Sequence, residues 1–136
     1  MSVAILSFRQ ELWDNHVPAI EERGFRLHRP VSYEDVATII EREKNGAAPV
    51  KLVVIDLPYN WDTLRKSVVR ILNMDRQVNV ALVTSLKPDE VYEETKGLGL
   101  LLAMPTNPSV PVVTLLLNNL QAVMSGKRVI TREAIE

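Results

Sequence analysis

The chain contains no cysteine, which excludes disulfide staples, thiolate metal sites and cysteine nucleophiles together. Its five glycines are scattered, and neither a Gly-x-Gly-x-x-Gly fingerprint nor a P-loop spacing occurs, so no nucleotide cradle is expected. No Gly-x-Ser-x-Gly elbow is present to anchor a hydrolase triad. Charge of one sign is lacking too. The 16 Lys and Arg stand against 17 Asp and Glu, which gives no net field for nucleic acid or for an acidic membrane. Apolar runs fall short of a membrane span: Leu98–Met104 is far too short and Pro105 follows it. No basic segment leads an apolar stretch at the N-terminus, so a cytoplasmic location is expected rather than secretion. His16 and His28 have no ligand-spaced partner and read as half-buried or surface residues, not metal ligands. The neighbours Glu21/Glu22 and Glu93/Glu94 diverge on a helix and read as solvated faces, not catalytic pairs.

What is present is the composition of one globular domain. Of 136 residues, 46% are hydrophobic and 24% charged, enough to bury roughly two-thirds of the unfolded surface. Strand and helix signals alternate along the chain. Lys51–Pro58 is the organising stretch, a β-branched run ending on Asp56 and a proline turn, as expected of a strand buried on both faces. Before it come a strand at Ser2–Leu6, a helix over about Arg9–Arg23, a short strand at Phe25–Arg29 and a helix started by Ser32 and Asp35. Pro18 inside the first helix means either a bend or a later start. After the stretch come a helix from near Trp61 capped by Asn60, a strand at Val78–Thr84 and a short helix opened by Pro88. A strand at Leu100–Ala103 follows, then a helix from Asn107 or Ser109 to about Met124.

Short connections between such units predict an α/β fold with a five-stranded parallel sheet, order 2-1-3-4-5, and helices on both faces. This flavodoxin-like, three-layer domain spans residues 1–125, and 126–136 is a polar tail suited to a linker. The strand order puts a ligand crevice between strands one and three, beside Asp56. Asp56 reads either as a crevice carboxylate or as a strand-ending turn former. Thr84 ends the neighbouring strand and either contacts a phosphoryl oxygen beside Asp56 or leads a turn with Ser85.

Over roughly Ser2–Met124 the chain resembles the receiver domain of bacterial response regulators. Lys51–Pro58 looks like the strand carrying the phospho-accepting Asp, and Val80–Ser85 like the strand ending in the switch Thr or Ser. Leu98–Pro105 looks like the fifth strand, and Gly24-Phe25 fits the step after helix one. The resemblance implies Asp56 as phosphoacceptor, Thr84 as the switch, and a place in two-component phosphorelay signalling. Two departures accompany it. Ser7 and Phe8 stand where the family has its acidic metal-binding pair, and Met104 stands where it has a lysine that pairs with the acceptor. Asp56 is then the one carboxylate left for Mg²⁺, a poor site for a hard cation, and otherwise no cofactor is expected. Arg9 follows the vacated acidic positions and offers partial compensation, with nothing in the sequence to fix its direction.

These features imply an atypical receiver that acts by protein contact, with weak or absent phosphorylation, rather than an enzyme. The last helix carries more apolar residues than one buried stripe needs, which suggests a second buried contact. Since receivers commonly dimerise through their fourth and fifth helices, the resemblance implies a homodimer there through Val112, Leu116 and Leu120. Packing against the fourth helix and the tail is the other reading of that surplus. Tyr59 and Trp61 form a second candidate contact, or a cap on the sheet edge. Other partners would be a sensor kinase or an output domain, with no nucleic acid or membrane bound through this domain. The alternatives are a small-molecule site in the same crevice and a regulatory wing domain of a larger enzyme.

Overall fold

The computed structural model describes residues 1–58 and 61–126, and the side chains of all of these except Trp61 and Asp62. The expected Asn60 cap, the Tyr59–Trp61 contact and the tail from residue 127 lie outside the described residues. Five strands form one parallel sheet: β1 Ser2–Ser7, β2 Arg26–His28, β3 Val50–Asp56, β4 Asn79–Val83 and β5 Leu102–Met104. Their order is 2-1-3-4-5, as the alternation of elements predicts. Five helices join them: α1 Val17–Glu22, α2 Tyr33–Glu43, α3 Trp61–Met74, α4 Pro88–Thr95 and α5 Val110–Met124. Among the described residues, no helix is long and apolar enough to cross a membrane.

The period-two alternation of each strand sorts its side chains into two cores. Val3, Ile5, Leu52, Val54 and Val83 face Trp13, Ile20 and the α5 residues Val113, Leu116, Leu117 and Leu120. Ala4, Leu6, Val53, Ile55 and Leu82 face Val36 and Ile40 of α2, Leu64, Val68 and Ile71 of α3, and Val91 of α4. Burial on both faces accounts for the unbroken apolar reading of β3, whose residues are all buried except Lys51. Asp56 has the parity of Leu52 and Val54, so its carboxylate belongs to the α1/α5 side.

Local signals set several element ends as expected. The Ser32 hydroxyl accepts from the Asp35 N–H at 3.1 Å to start α2, and the Ser109 hydroxyl accepts from the Val112 N–H at 3.4 Å to start α5. Pro88 sits in the first turn of α4, where its missing N–H has no helical partner to lose.

The structure decides between the two readings of the first helix in favour of the later start, moves the start of the fifth strand, and places two of the candidate contact residues in the core. The first helix is not continuous from Arg9. Gln10–His16 is a 3₁₀ segment and α1 proper starts at Val17, which puts Pro18 in the first turn where it is tolerated. The fifth strand starts at Leu102, not Leu100, because Gly97 and Gly99 take left-handed φ values of 83° and 70° and keep the chain turning. Leu116 and Leu120, expected at a dimer contact, are 2% and 0% exposed in the core, and Val112 packs half-buried against the same cluster. The apolar surplus of α5 goes to this one core: Val113, Leu116, Leu117 and Leu120 are buried in it, and Val112, Leu115, Val123 and Met124 pack partly buried against it.

Two predictions follow from the packing. Leu120→Ala should cost about 2–5 kcal/mol in urea unfolding, while Val110→Ala, on the exposed start of α5, should stay within about 0.5 kcal/mol. Comparable losses at both positions would contradict this layering. The second concerns His28 on β2, whose buried Nε2 has no hydrogen-bond partner. Burial pushes its pKa below the ordinary 6.5, with Glu43 opposing and Arg42 and Arg26 adding to the shift. The folded chain therefore binds this proton less readily than the unfolded one. Stability from His28 is complete above about pH 6.5 and declines as pH falls through the depressed value. The thermal midpoint should fall as pH drops below about 6.5, and His28→Phe should flatten that slope; an unchanged slope would remove His28 as its cause.

Candidate functional site

Parallel pairing of β1 with β3 aligns Ser7 with Asp56, so the chain leaving β1 starts level with the Asp56 carboxylate. The Phe8 N–H donates to the Asp56 backbone carbonyl at 3.3 Å, and the Arg9 N–H donates to the Ser7 hydroxyl oxygen at 3.0 Å. This tight turn carries the Arg9 side chain back over the end of β3. Its Nε donates to the carboxylate at 3.0 and 3.2 Å, and its Nη2 donates to Oδ1 at 3.0 Å. Such a fork is the strong form of an arginine–carboxylate bond. The Ser7 hydroxyl donates to Oδ2 at 2.8 Å and the Trp13 indole N–H donates to the same oxygen at 2.9 Å. Arg9 Nη2 also donates to the Thr106 carbonyl, which ties the β5–α5 loop to the site.

Both carboxylate oxygens of Asp56 are thus engaged. Asp56 is 2% exposed, and the Arg9 side chain 25%. A pair with its carboxylate buried gains little net stability, because desolvation offsets much of the attraction. What it supplies is position: charge and donors fix the carboxylate in one orientation.

Thr84 reaches the same crevice, a cleft of about 160 Å³ lined by Phe8, Arg9, Asp56, Leu57, Pro58, Thr84 and Thr106 among others. Its hydroxyl oxygen accepts from the Leu86 N–H at 3.1 Å and its own N–H donates to the Met104 carbonyl at 2.9 Å. The hydroxyl therefore leads the turn after β4 while standing beside the cleft. Met104 is buried in the α1/α5 core. His16 is held by Pro108, whose carbonyl lies 3.0 Å from Nε2 and can only accept, so that nitrogen carries the proton. Among the described residues no cluster of His, Asp and Glu could hold a metal ion.

Two features of the site were not legible in the sequence. Trp13 reads as one residue of an apolar helix face, whereas it is also a hydrogen-bond donor to Asp56. A buried indole N–H needs a partner, and that was the signal available. The direction of Arg9 depends on the Ser7–Asp56 register, which no local pattern encodes.

No protein-family model and no curated protein sequence matches the chain. Its fold does have solved counterparts. A putative pilus assembly-related protein from Burkholderia pseudomallei aligns with a TM-score of 0.67 at 11% identity, covering 90% of each chain. A LuxR family DNA-binding response regulator from Silicibacter pomeroyi aligns with a TM-score of 0.59 at 18% identity, covering 98% of this chain and 99% of that one. The likeness is one of fold, and the fold resembles a response-regulator receiver domain.

The geometry makes the two partners unequal. Arg9→Ala leaves the Asp56 carboxylate buried with Ser7 and Trp13 as its remaining donors, and should cost about 3–5 kcal/mol. Asp56→Asn leaves a guanidinium that can turn toward water and an amide oxygen that can still accept from Ser7 or Trp13, and should cost less, about 1–3 kcal/mol. Urea unfolding of both variants checks the order; an equal or reversed ranking would mean that water reaches the carboxylate freely.

Proposed function

We propose that this chain is an atypical receiver-like signalling module that acts by contact with other proteins and takes little or no phosphate on Asp56. The observation that carries this reading is the Arg9 fork on a carboxylate already hydrogen-bonded by Ser7 and Trp13. An acceptor carboxylate must present a free oxygen to the phosphodonor, with the developing charge neutralised by metal and cation. Here the guanidinium covers both oxygens. The residues do not fit Mg²⁺ either: Phe8 offers no side-chain ligand, and the Ser7 hydroxyl is spent on Asp56. No step through a metal is therefore part of the reading.

The fold alone supports no particular role, since the structural neighbours carry different descriptions, one a pilus assembly-related protein and one a response regulator. The partner in this reading is a sensor kinase, an output domain or a second copy. A homodimer contact would use exposed residues such as Val110 and Tyr92, not the buried Leu116 and Leu120. A small-molecule site is less well supported, because the crevice of about 160 Å³ falls below the usual range of ligand pockets, about 300–1,000 Å³. A cytoplasmic setting belongs to the same proposal.

Incubation with acetyl phosphate and Mg²⁺, read by intact mass, tests it. The wild-type chain should gain no more than a trace of phosphoryl adduct. A near-stoichiometric adduct that disappears in Asp56→Asn would overturn the reading.

A further inference from the structure

At the opposite end of the sheet from Asp56, a groove of about 500 Å³ opens between the end of α2, the start of β3 and the turn joining α3 to β4. Ile40 and Val50, both buried, form part of its lining, and Lys44, Lys51 and Arg76 stand around it. Among the described residues none of these three cations has an ion-pair partner; the pairs that do form are Arg9–Asp56, Arg29–Asp14 and Arg42–Glu43. The carboxylate in the groove, Asp75, is engaged with its own turn, accepting from the Gln77 N–H at 2.9 Å.

Helix-end electrostatics account for Lys44, which follows the last turn of α2 and complements its dipole. They do not account for Lys51 or Arg76. Lys51 is the one residue of β3 that is not buried, a cation on the central strand of a parallel sheet. Its place is the groove. Three cations on three separate elements, around a partly apolar floor, make a local positive surface on a chain whose formal net charge is −1.

We propose that this groove is a docking site for an acidic, extended segment of a partner protein. Charge complementarity selects the sign, and the spacing of cations over separate elements suits carboxylates distributed along a peptide. A nucleotide would want an aromatic platform or a glycine-rich loop, and the groove lining has no aromatic residue and no glycine. Nucleic acid is favoured by a broad positive field, which the balanced charge of the chain denies it. The proposal names a partner class for the contact function given above. It is tested by binding alone, without a phosphodonor, so its failure leaves the reading of Asp56 untouched.

The experiment is fluorescence anisotropy with a fluorescein-labelled oligoglutamate peptide. Saturable binding is expected at about 0.01 M salt, weakening strongly by about 0.1 M as the Debye length falls from about 30 Å to about 10 Å. Lys44→Glu and Arg76→Glu, both at exposed positions, should each weaken binding roughly fivefold or more. Lys87→Glu, exposed before α4, should leave it unchanged, and circular dichroism should show every variant folded. The proposal fails if no saturable binding occurs at low salt, or if Lys44→Glu and Arg76→Glu bind as the wild type does. It fails also if a single-stranded DNA oligomer of equal charge displaces the peptide as well as unlabelled oligoglutamate does, which would mark a generic polyanion surface.

Discussion

The ion pair between Arg9 and Asp56 is the interaction on which the carboxyl end of the sheet depends. It joins the segment leaving β1 to the end of β3, and through the Thr106 carbonyl it reaches the loop before α5. Trp13 anchors the 3₁₀ segment to the same carboxylate, and His16, in the same segment, is bonded to the Pro108 carbonyl. Separate loops are thereby held to one side chain. A buried pair of this kind is close to neutral in net stability, and removing one partner is what costs. Its contribution is a single fixed arrangement at the place where open α/β sheets hold their ligands.

How much of this was written locally in the sequence differs from element to element. The strand β3, the Ser32 and Ser109 caps and the Pro88 start are each specified by residues a few positions apart, and each is found where the pattern puts it. The sheet order follows from such units joined by short connections. The Arg9–Asp56 contact spans 47 positions and the Trp13–Asp56 contact 43, so no window of sequence contains them. They exist because β1 and β3 pair in one register. The late start of β5 was carried by Gly97 and Gly99, but a glycine's φ is chosen by the turn around it, not by its neighbours in sequence. Leu116 and Leu120 lie in the core for a related reason: which apolar residues of a long helix face the sheet is set by its packing, and the sequence shows only that there are many.

The departures from the receiver pattern take on a different sense once the geometry is known. Met104, where a lysine would be expected, is core, and its thioether cannot supply charge. A cation nevertheless sits on Asp56, supplied by the segment after β1 instead of the one after β5. The exchange is not conservative. An ammonium is a compact point charge that can pair with one carboxylate oxygen and leave the other open, whereas a guanidinium is a planar fork that matches both. Ser7 and Trp13 complete the shell of donors around this carboxylate, the arrangement on which the proposed reading of Asp56 rests.

That distinction bears on where recognition can occur. In a doubly wound sheet the carboxyl ends of the strands usually carry the ligand, because loops there are free to vary while the strands hold them. Here those loops are drawn together on Asp56, which leaves a small cleft beside Thr84. At the amino-terminal end the constraint is absent: Lys44, Lys51 and Arg76 project from three elements with no carboxylate drawn to them among the described residues. A cation at the start of the central strand has no packing role to explain it, since Val50 and Leu52 on either side are the residues that fill the core. The charges of the fold are thus distributed unusually among the described residues, with a paired carboxylate at the end where binding is customary and cations without an ion-pair partner at the other.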